Sequence, residues 1–216
     1  MADKLDYKKE YKDLYMPGKT PMRILVPQMH FIAVDGQGAP EGEEYQAAIS
    51  ALYALSFTIK MSKMGTPPPG YFEYVVPPLE GLWWSGDPAE GRLEMDCRAD
   101  WHWTAMIRQP EFVTPEVFSW AAEECRRKKP EISIERARFF TYAEGECVQV
   151  MHMGPYSAEE ASMEKLAAFM EQNGLRGDLG TRRRHHEIYL SDPRRTAPER
   201  LKTVLRTPVR EKLQLF

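Results

Sequence analysis

The chain has 216 residues, 43% of them hydrophobic and 28% charged, with a formal net charge of −3. That fits one large domain or two small ones with a sizeable core, and the composition is ordinary for a soluble globular protein. The slightly acidic balance argues against a dedicated nucleic-acid binder, and the basic triplet Arg182-Arg183-Arg184 reads as a solvated strand end.

The amino-terminal stretch MADKLDYKKEYKDLY is a charged lead-in without the apolar core of a signal peptide. No run approaches the roughly 18 apolar residues of a membrane span, so a cytoplasmic, membrane-free protein is expected. MRILVPQMHFIAVDG (22–36) reads as extended, broken near Pro27 and closed by a turn at Asp35-Gly36. Tyr45, Ala48, Ile49, Leu52, Ser56 and Ile59 recur at three- and four-residue spacing, which predicts an amphipathic helix. Aromatic-rich strands are expected over 70–84 and 101–110, separated by a turn-rich loop. Thr114 as N-cap and Pro115 at the first helical position open a second helix, which runs to about Lys129 with Val117, Trp120, Ala121 and Cys125 on one face.

The pattern then recurs. Residues 138–156 form a long extended or hairpin segment, and Ser157-Ala158-Glu159-Glu160 reads as a capping box opening a helix that ends at Gly174. A strand around HHEIYL, a short helix near Pro198 and a last strand over 202–209 complete the chain. Both halves, about 22–110 and 137–209, therefore read strand, helix, strand, strand, with the helix at about 114–130 between them. The expected fold is α+β, a single domain over 1–216: antiparallel sheets, helices on one side, and a ligand groove between the halves.

The strand HHEIYL carries the most informative residue. A carboxylate inside a short apolar run costs several kcal/mol, roughly, unless it finds a partner. Alternation puts His185, Glu187 and Tyr189 on one face and His186, Ile188 and Leu190 on the other. The Ile188/Leu190 face suits packing under a helix, so Glu187 is expected on the opposite face, lining the groove. Tyr71, Tyr74, Trp83, Trp84, Trp101 and Trp103 crowd between residues 71 and 103. Together they exceed what one small core readily hides and suit a cleft for a flat or cationic organic molecule.

Metal and cofactor chemistry find little support. Glu187 with His185 supplies two ligands, while His30, His102 and His152 are scattered over other segments. Cys97, Cys125 and Cys147 are odd in number and far apart, as expected of reduced structural thiols. Asp35-Gly36-Gln37-Gly38 lacks the glycine spacing and following acid of a dinucleotide loop, and no GxSxG elbow occurs. No metal and no cofactor are expected.

EIYLSDPRRTAPERLKTVLRTPV (187–209), MHMGPY (151–156), YVVPPLEGLWW (74–84) and MIRQPEFVTPEVFSWA (106–121) resemble the GyrI-like small-molecule-binding family, specifically its stand-alone branch, from about Tyr7 to Val209. The resemblance implies a pseudo-twofold pair of βαββ units (an SHS2-type fold) with ligand bound between them. It also implies that the residue matching Glu187 meets cationic drugs in the multidrug-sensing regulators. Stand-alone members are cyclopropanoid hydrolases, which open the activated cyclopropane of DNA-alkylating compounds and so detoxify them. On that reading Glu187 is the base for water, Tyr71, Tyr74 or Tyr156 the donor to the developing oxyanion, and Trp83 and Trp103 a stacking platform, with Tyr189 and His185 beside the ligand. The other class left open is a non-catalytic sensor or sequestering module that acts through a protein partner, such as gyrase or a separate regulator. A homo-oligomer is also left open.

Overall fold

The structure, a computed structural model, describes residues 4–87, 89–91, 93 and 98–212. Cys97 and part of the turn-rich loop fall outside them; Cys125 and Cys147 are buried free thiols. The charged lead-in is more ordered than its composition predicts. It forms two short helices, α1 (Tyr7–Glu10) and α2 (Lys12–Tyr15), because Tyr7, Leu14 and Tyr15 give it an apolar side to bury.

β1 (Met22–Gln37) is continuous rather than broken. Its pairing with β4 steps from Val26–Gly145 to Gln28–Ala143 and skips Pro27, which has no N–H to donate. Nor does the strand turn at Asp35-Gly36. α3 (Glu43–Lys60) follows. β2 (Leu79–Ser85) is shorter than expected, so Tyr71 and Tyr74 lie in the irregular segment before it, where Tyr74 bridges to Leu5. β3 (Trp101–Arg108) leads to α4 (Pro115–Lys128), which is capped as expected by Thr114 accepting from the Val117 amide at 3.3 Å. Ala121, Ala122 and Cys125 are buried on α4, but Trp120 is 36% exposed and does not share the inward face.

β4 (Arg138–Met153) is one long strand, not a hairpin. The capping box does not form: Ser157 sits in a 3₁₀ turn (Tyr156–Ala158), and α5 (Glu160–Gln172) begins after Glu159 without a side-chain cap. Gly174, at φ +64°, follows α5 in the left-handed conformation expected of a terminating glycine. The chain ends with a short β5 (Leu175–Gly177), absent from the expectation, then β6 (His185–Tyr189) and β7 (Lys202–Glu211).

All strand pairs are antiparallel, in the order β4-β1-β3-β2-β6-β7-β5, and β4 also pairs with β7. The sheet therefore closes into a six-stranded barrel with β5 appended to β7. Each half has the same pairing, β1-β3-β2 in the first and β4-β7-β6 in the second, and the halves join at β1–β4 and β2–β6. Closure corrects the expected open arrangement: both joins are hydrogen-bonded seams, α3 and α5 pack on the outer face, and the other face turns inward.

The inward face carries a buried ionic chain. The His186 ring lies 3.0 Å from Glu80 through Nε2 and 3.0 Å from Glu144 through Nδ1. Arg206 donates to Glu144 at 3.1 Å, to Gln149 at 2.9 Å and to the Leu14 carbonyl at 2.8 Å, while the Tyr15 hydroxyl donates to Glu80 at 3.2 Å. Glu80, Glu144, His186 and Arg206 are all fully enclosed, so the pairing is what makes their burial tolerable. Burial works against a charged His186, but the Glu144 charge and the hydrogen bonds to Glu144 and Glu80 outweigh it and hold the imidazole up at about 9. Burial likewise works against ionised Glu144, yet His186 and Arg206 hold it down at about 2.

These shifts set a pH window. The His186 contribution is complete below its unfolded value, about 6.5, and is lost as pH rises through about 9. The Glu144 contribution is present above about 4.5 and is lost as pH falls through about 2. His186→Gln is expected to cost about 3–5 kcal/mol, as for a broken buried pair, and to flatten the alkaline decline in stability. Denaturant melts between pH 6 and 10 test this; a variant with an unchanged alkaline decline would remove His186 as its cause.

Candidate functional site

The candidate site lies on the outer face of the β2–β6 seam. Glu187 is opposite Gly81 on β2 and Leu205 on β7, and Leu205 packs in the cluster with Leu166 of α5. His185, Glu187 and Tyr189 therefore face the helices, and His186 and Ile188 face inward. This reverses the expected packing of that strand, because the inward position of Ile188 is shared with the ionic chain rather than with a helix.

Gly81 makes room for the central hydrogen-bond chain. A Cβ there would stand 2.5 Å from Trp83 Nε1 and 3.3 Å from the Tyr189 hydroxyl. Through that space Trp83 Nε1 donates to the Tyr189 hydroxyl at 2.9 Å, and that hydroxyl donates to Glu187 Oε2 at 2.8 Å. His185 Nε2 lies 3.3 Å from Glu187 Oε1. Glu187 is thus 8% exposed, held through both oxygens by side chains of its own strand.

Aromatic rings pack around Trp83 and Tyr189, the other members of this hydrogen-bond chain. Tyr45, on the first turn of α3, packs against Trp83 at 5.2 Å and edge-on to Trp103 at 4.9 Å, and Trp83 meets Trp101 edge-on at 5.5 Å. Tyr156 meets Tyr189 edge-on at 5.9 Å. Trp103 lies flat against Gly36, where a Cβ would stand 2.2 Å from the indole, so this glycine serves a close approach and not a turn.

A second carboxyl completes the site. Glu159, just before α5, is 5% exposed, and its Oε1 is buried without a hydrogen-bond partner. Burial and then the Glu187 charge push it up to about 9, against a smaller opposing effect of Arg98. Glu159 is therefore neutral at pH 7. Burial, Glu159 and Glu187 push Tyr156 up to about 12, and burial and Glu187 raise Tyr189 well above the ordinary phenol range. The phenols are hydrogen-bond donors here, not ionised groups. His185 Nδ1 and Trp103 Nε1 are also buried without partners. Each such group costs about 1–3 kcal/mol, which favours a site that accepts a polar, flat guest.

Of the residues singled out in the sequence, the fold gathers Glu187, Tyr189, His185, Trp83, Trp103 and Tyr156. Tyr71 and Tyr74 occupy a different cluster with Phe72 and Phe112, where the Tyr71 hydroxyl donates to the Lys60 carbonyl at 2.9 Å. Sequence reasoning missed Tyr45, which reads as one more apolar position of α3, and Glu159, which reads as a helix cap. Among the described residues, no group of three or more His, Cys, Asp or Glu could hold a metal ion, and no helix is long and apolar enough to cross a membrane.

A planar aromatic ligand is expected to quench tryptophan emission and raise the melting temperature. Tyr189→Phe, which leaves Trp83 Nε1 and Glu187 Oε2 unpartnered, should weaken its binding by about 1–3 kcal/mol. Titration with several planar ligands that moves neither emission nor melting temperature would remove this surface as a binding site.

Comparison with known proteins agrees with the geometry. The model of the GyrI-like small molecule binding domain matches residues 20–210. A protein from Listeria innocua described as a hydrolase is 51% identical, with 96% of this chain and 100% of that one covered and a TM-score of 0.87. An uncharacterized conserved protein from the same organism is 53% identical over 96% and 100% of the two chains, with a TM-score of 0.90. The C-terminal domain of EcmrR, 14% identical over 90% and 98%, shares the fold at a TM-score of 0.51. Curated proteins gave no match. On the matched span and these relatives, the chain belongs to the GyrI-like small-molecule-binding family.

Proposed function

We propose that this protein binds planar aromatic molecules and hydrolyses the activated cyclopropane of DNA-alkylating, cyclopropanoid compounds, with Glu187 as the base for water. The observation that carries the reading is a buried carboxylate held by Tyr189 and His185, with Trp83 bonded to the same Tyr189 hydroxyl and with unpartnered atoms on His185 and Glu159. The likeness to a hydrolase at 51% identity over nearly the full length supports a hydrolytic reaction in particular.

The chemistry needs few groups. Trp83, Trp101 and Trp103, all nearly fully buried, back the site as an aromatic wall for a flat alkylating unit. Water attacks the cyclopropane methylene carbon, forming a C–O bond while the strained C–C bond breaks. The electron pair moves through the ring to the dienone oxygen, which becomes a phenol on taking up a proton. Glu187 accepts the proton that water loses. Tyr189 and His185 hold its oxygens in place, so little reorganisation accompanies the step. Tyr156 stands at the same site as a neutral hydrogen-bond donor, whereas Tyr71 and Tyr74 are committed to their own cluster.

The test is turnover. Incubated with excess of a spirocyclopropane dienone, the protein is expected to release many equivalents of ring-opened alcohol, followed by mass spectrometry. Glu187→Gln should lower the rate by about 10²- to 10⁴-fold while binding of a planar, unreactive analogue persists. One equivalent of bound, unopened compound per chain would instead identify a sequestering protein.

A further inference from the structure

The reaction above leaves one role unassigned: the acid that supplies the oxyanion's proton. The tyrosines fit it poorly. The Tyr189 hydroxyl hydrogen is already committed to Glu187, and Tyr156 holds its proton to about 12. Among the described residues, the outer face contains one other candidate.

We propose that Glu159 is the proton donor of the hydrolysis, acting at the same site as Glu187. The assignment rests on the hydrolase reading and on placement. Glu159 ends the turn before α5, where its amide donates to the Tyr156 carbonyl at 3.2 Å, and the Tyr156 ring meets Tyr189, whose hydroxyl donates to Glu187. It is enclosed, its Oε1 has no protein partner, and Glu187 is the carboxylate whose charge it feels most. Glu144 leaves its Oε1 unpartnered too, but its Oε2 is held by His186 and Arg206; the Glu159 carboxyl shares its surroundings with Glu187 instead. The groups facing the pair are Tyr156 from the turn, Tyr189 and His185 from β6, Tyr45 from α3, and Arg98 from the segment before β3. Arg98 also pairs with Glu41 at 3.1 Å and lies over the Trp101 ring, so it does not neutralise Glu159 alone.

Two carboxyls in different environments divide acid from base work. The step balances. Glu187 takes one proton from the attacking water, Glu159 gives one to the dienone oxygen, and the net change is addition of one water. The site resets when the proton on Glu187 returns to Glu159 through solvent.

The sign of the pH dependence follows. Activity requires protonated Glu159, so kcat is expected to fall as pH rises through about 9. Glu159→Gln keeps the shape and a hydrogen-bond donor but cannot transfer a proton. It should lower kcat by about 10²- to 10⁴-fold, leave KM within a few-fold, and lose the alkaline limb. The His186 chain weakens over the same range, so the folded fraction is followed by near-ultraviolet circular dichroism at each pH; the variant carries the same chain and is its own control. A reading independent of turnover comes from the infrared difference between wild type and Glu159→Gln, which should show the C=O stretch of a protonated carboxylic acid at pH 7 and its loss near pH 9–10. Absence of that band at pH 7, or a variant that keeps wild-type kcat and its alkaline limb, overturns the donor role. A band present in a protein that turns nothing over would overturn the hydrolase reading, and the donor role with it.

Discussion

The β2–β6 seam is the constraint on which the rest of the site depends. It is the line where the two halves of the chain meet, and its register sets Glu187 against Gly81 and His185 against Trp83. Because Gly81 has no side chain, the Trp83 indole and the Tyr189 hydroxyl can meet above it and reach Glu187. A slip of one residue would exchange the two faces of β6. Glu187 would then enter the barrel, and His186 would leave its two carboxylates for the helix side.

That alternation also divides the protein's charges into two kinds. Inside the barrel, Glu80 and Glu144 are matched by His186 and Arg206, and the chain of contacts reaches the lead-in through Tyr15 and the Leu14 carbonyl. Charge there is satisfied within the protein and ties the amino-terminal helices to the barrel. Outside, burial and then the Glu187 charge outweigh the Arg98 guanidinium, and Glu159 keeps its proton. In that pair the Glu159 Oε1 is left without a partner, polar capacity that a guest would satisfy.

How much of this was legible in the sequence depends on how local each signal is. Thr114-Pro115, the terminating Gly174 and the alternation of HHEIYL are read from neighbouring residues, and each survives in the fold. The strand–helix–strand–strand repeat is also local, and the common pairing of the two halves agrees with it. Closure of the sheet is not local, because it depends on β4 being long enough to pair with both β1 and β7. Glu159 and Gly36 were misread for a related reason: a helix cap and a turn are the commonest uses of such residues, and only the tertiary contacts with Glu187 and Trp103 reveal the other use. Of the tyrosines, Tyr156 and Tyr189 reach Glu187 through the second half of the chain, while Tyr71 and Tyr74 precede β2 and bury themselves against Phe112.

The central claim is that Glu187 removes a proton from water and does not itself attack the ring, and oxygen labelling tests it most directly. A single turnover of a spirocyclopropane dienone would be run in H₂¹⁸O with the protein in excess, and both product and protein weighed by mass spectrometry. The account predicts one ¹⁸O on the opened methylene carbon of the product and an unlabelled Glu187. A product carrying ordinary oxygen, with ¹⁸O in the Glu187 carboxylate after hydrolysis of an ester, would show that Glu187 is a nucleophile and contradict the account.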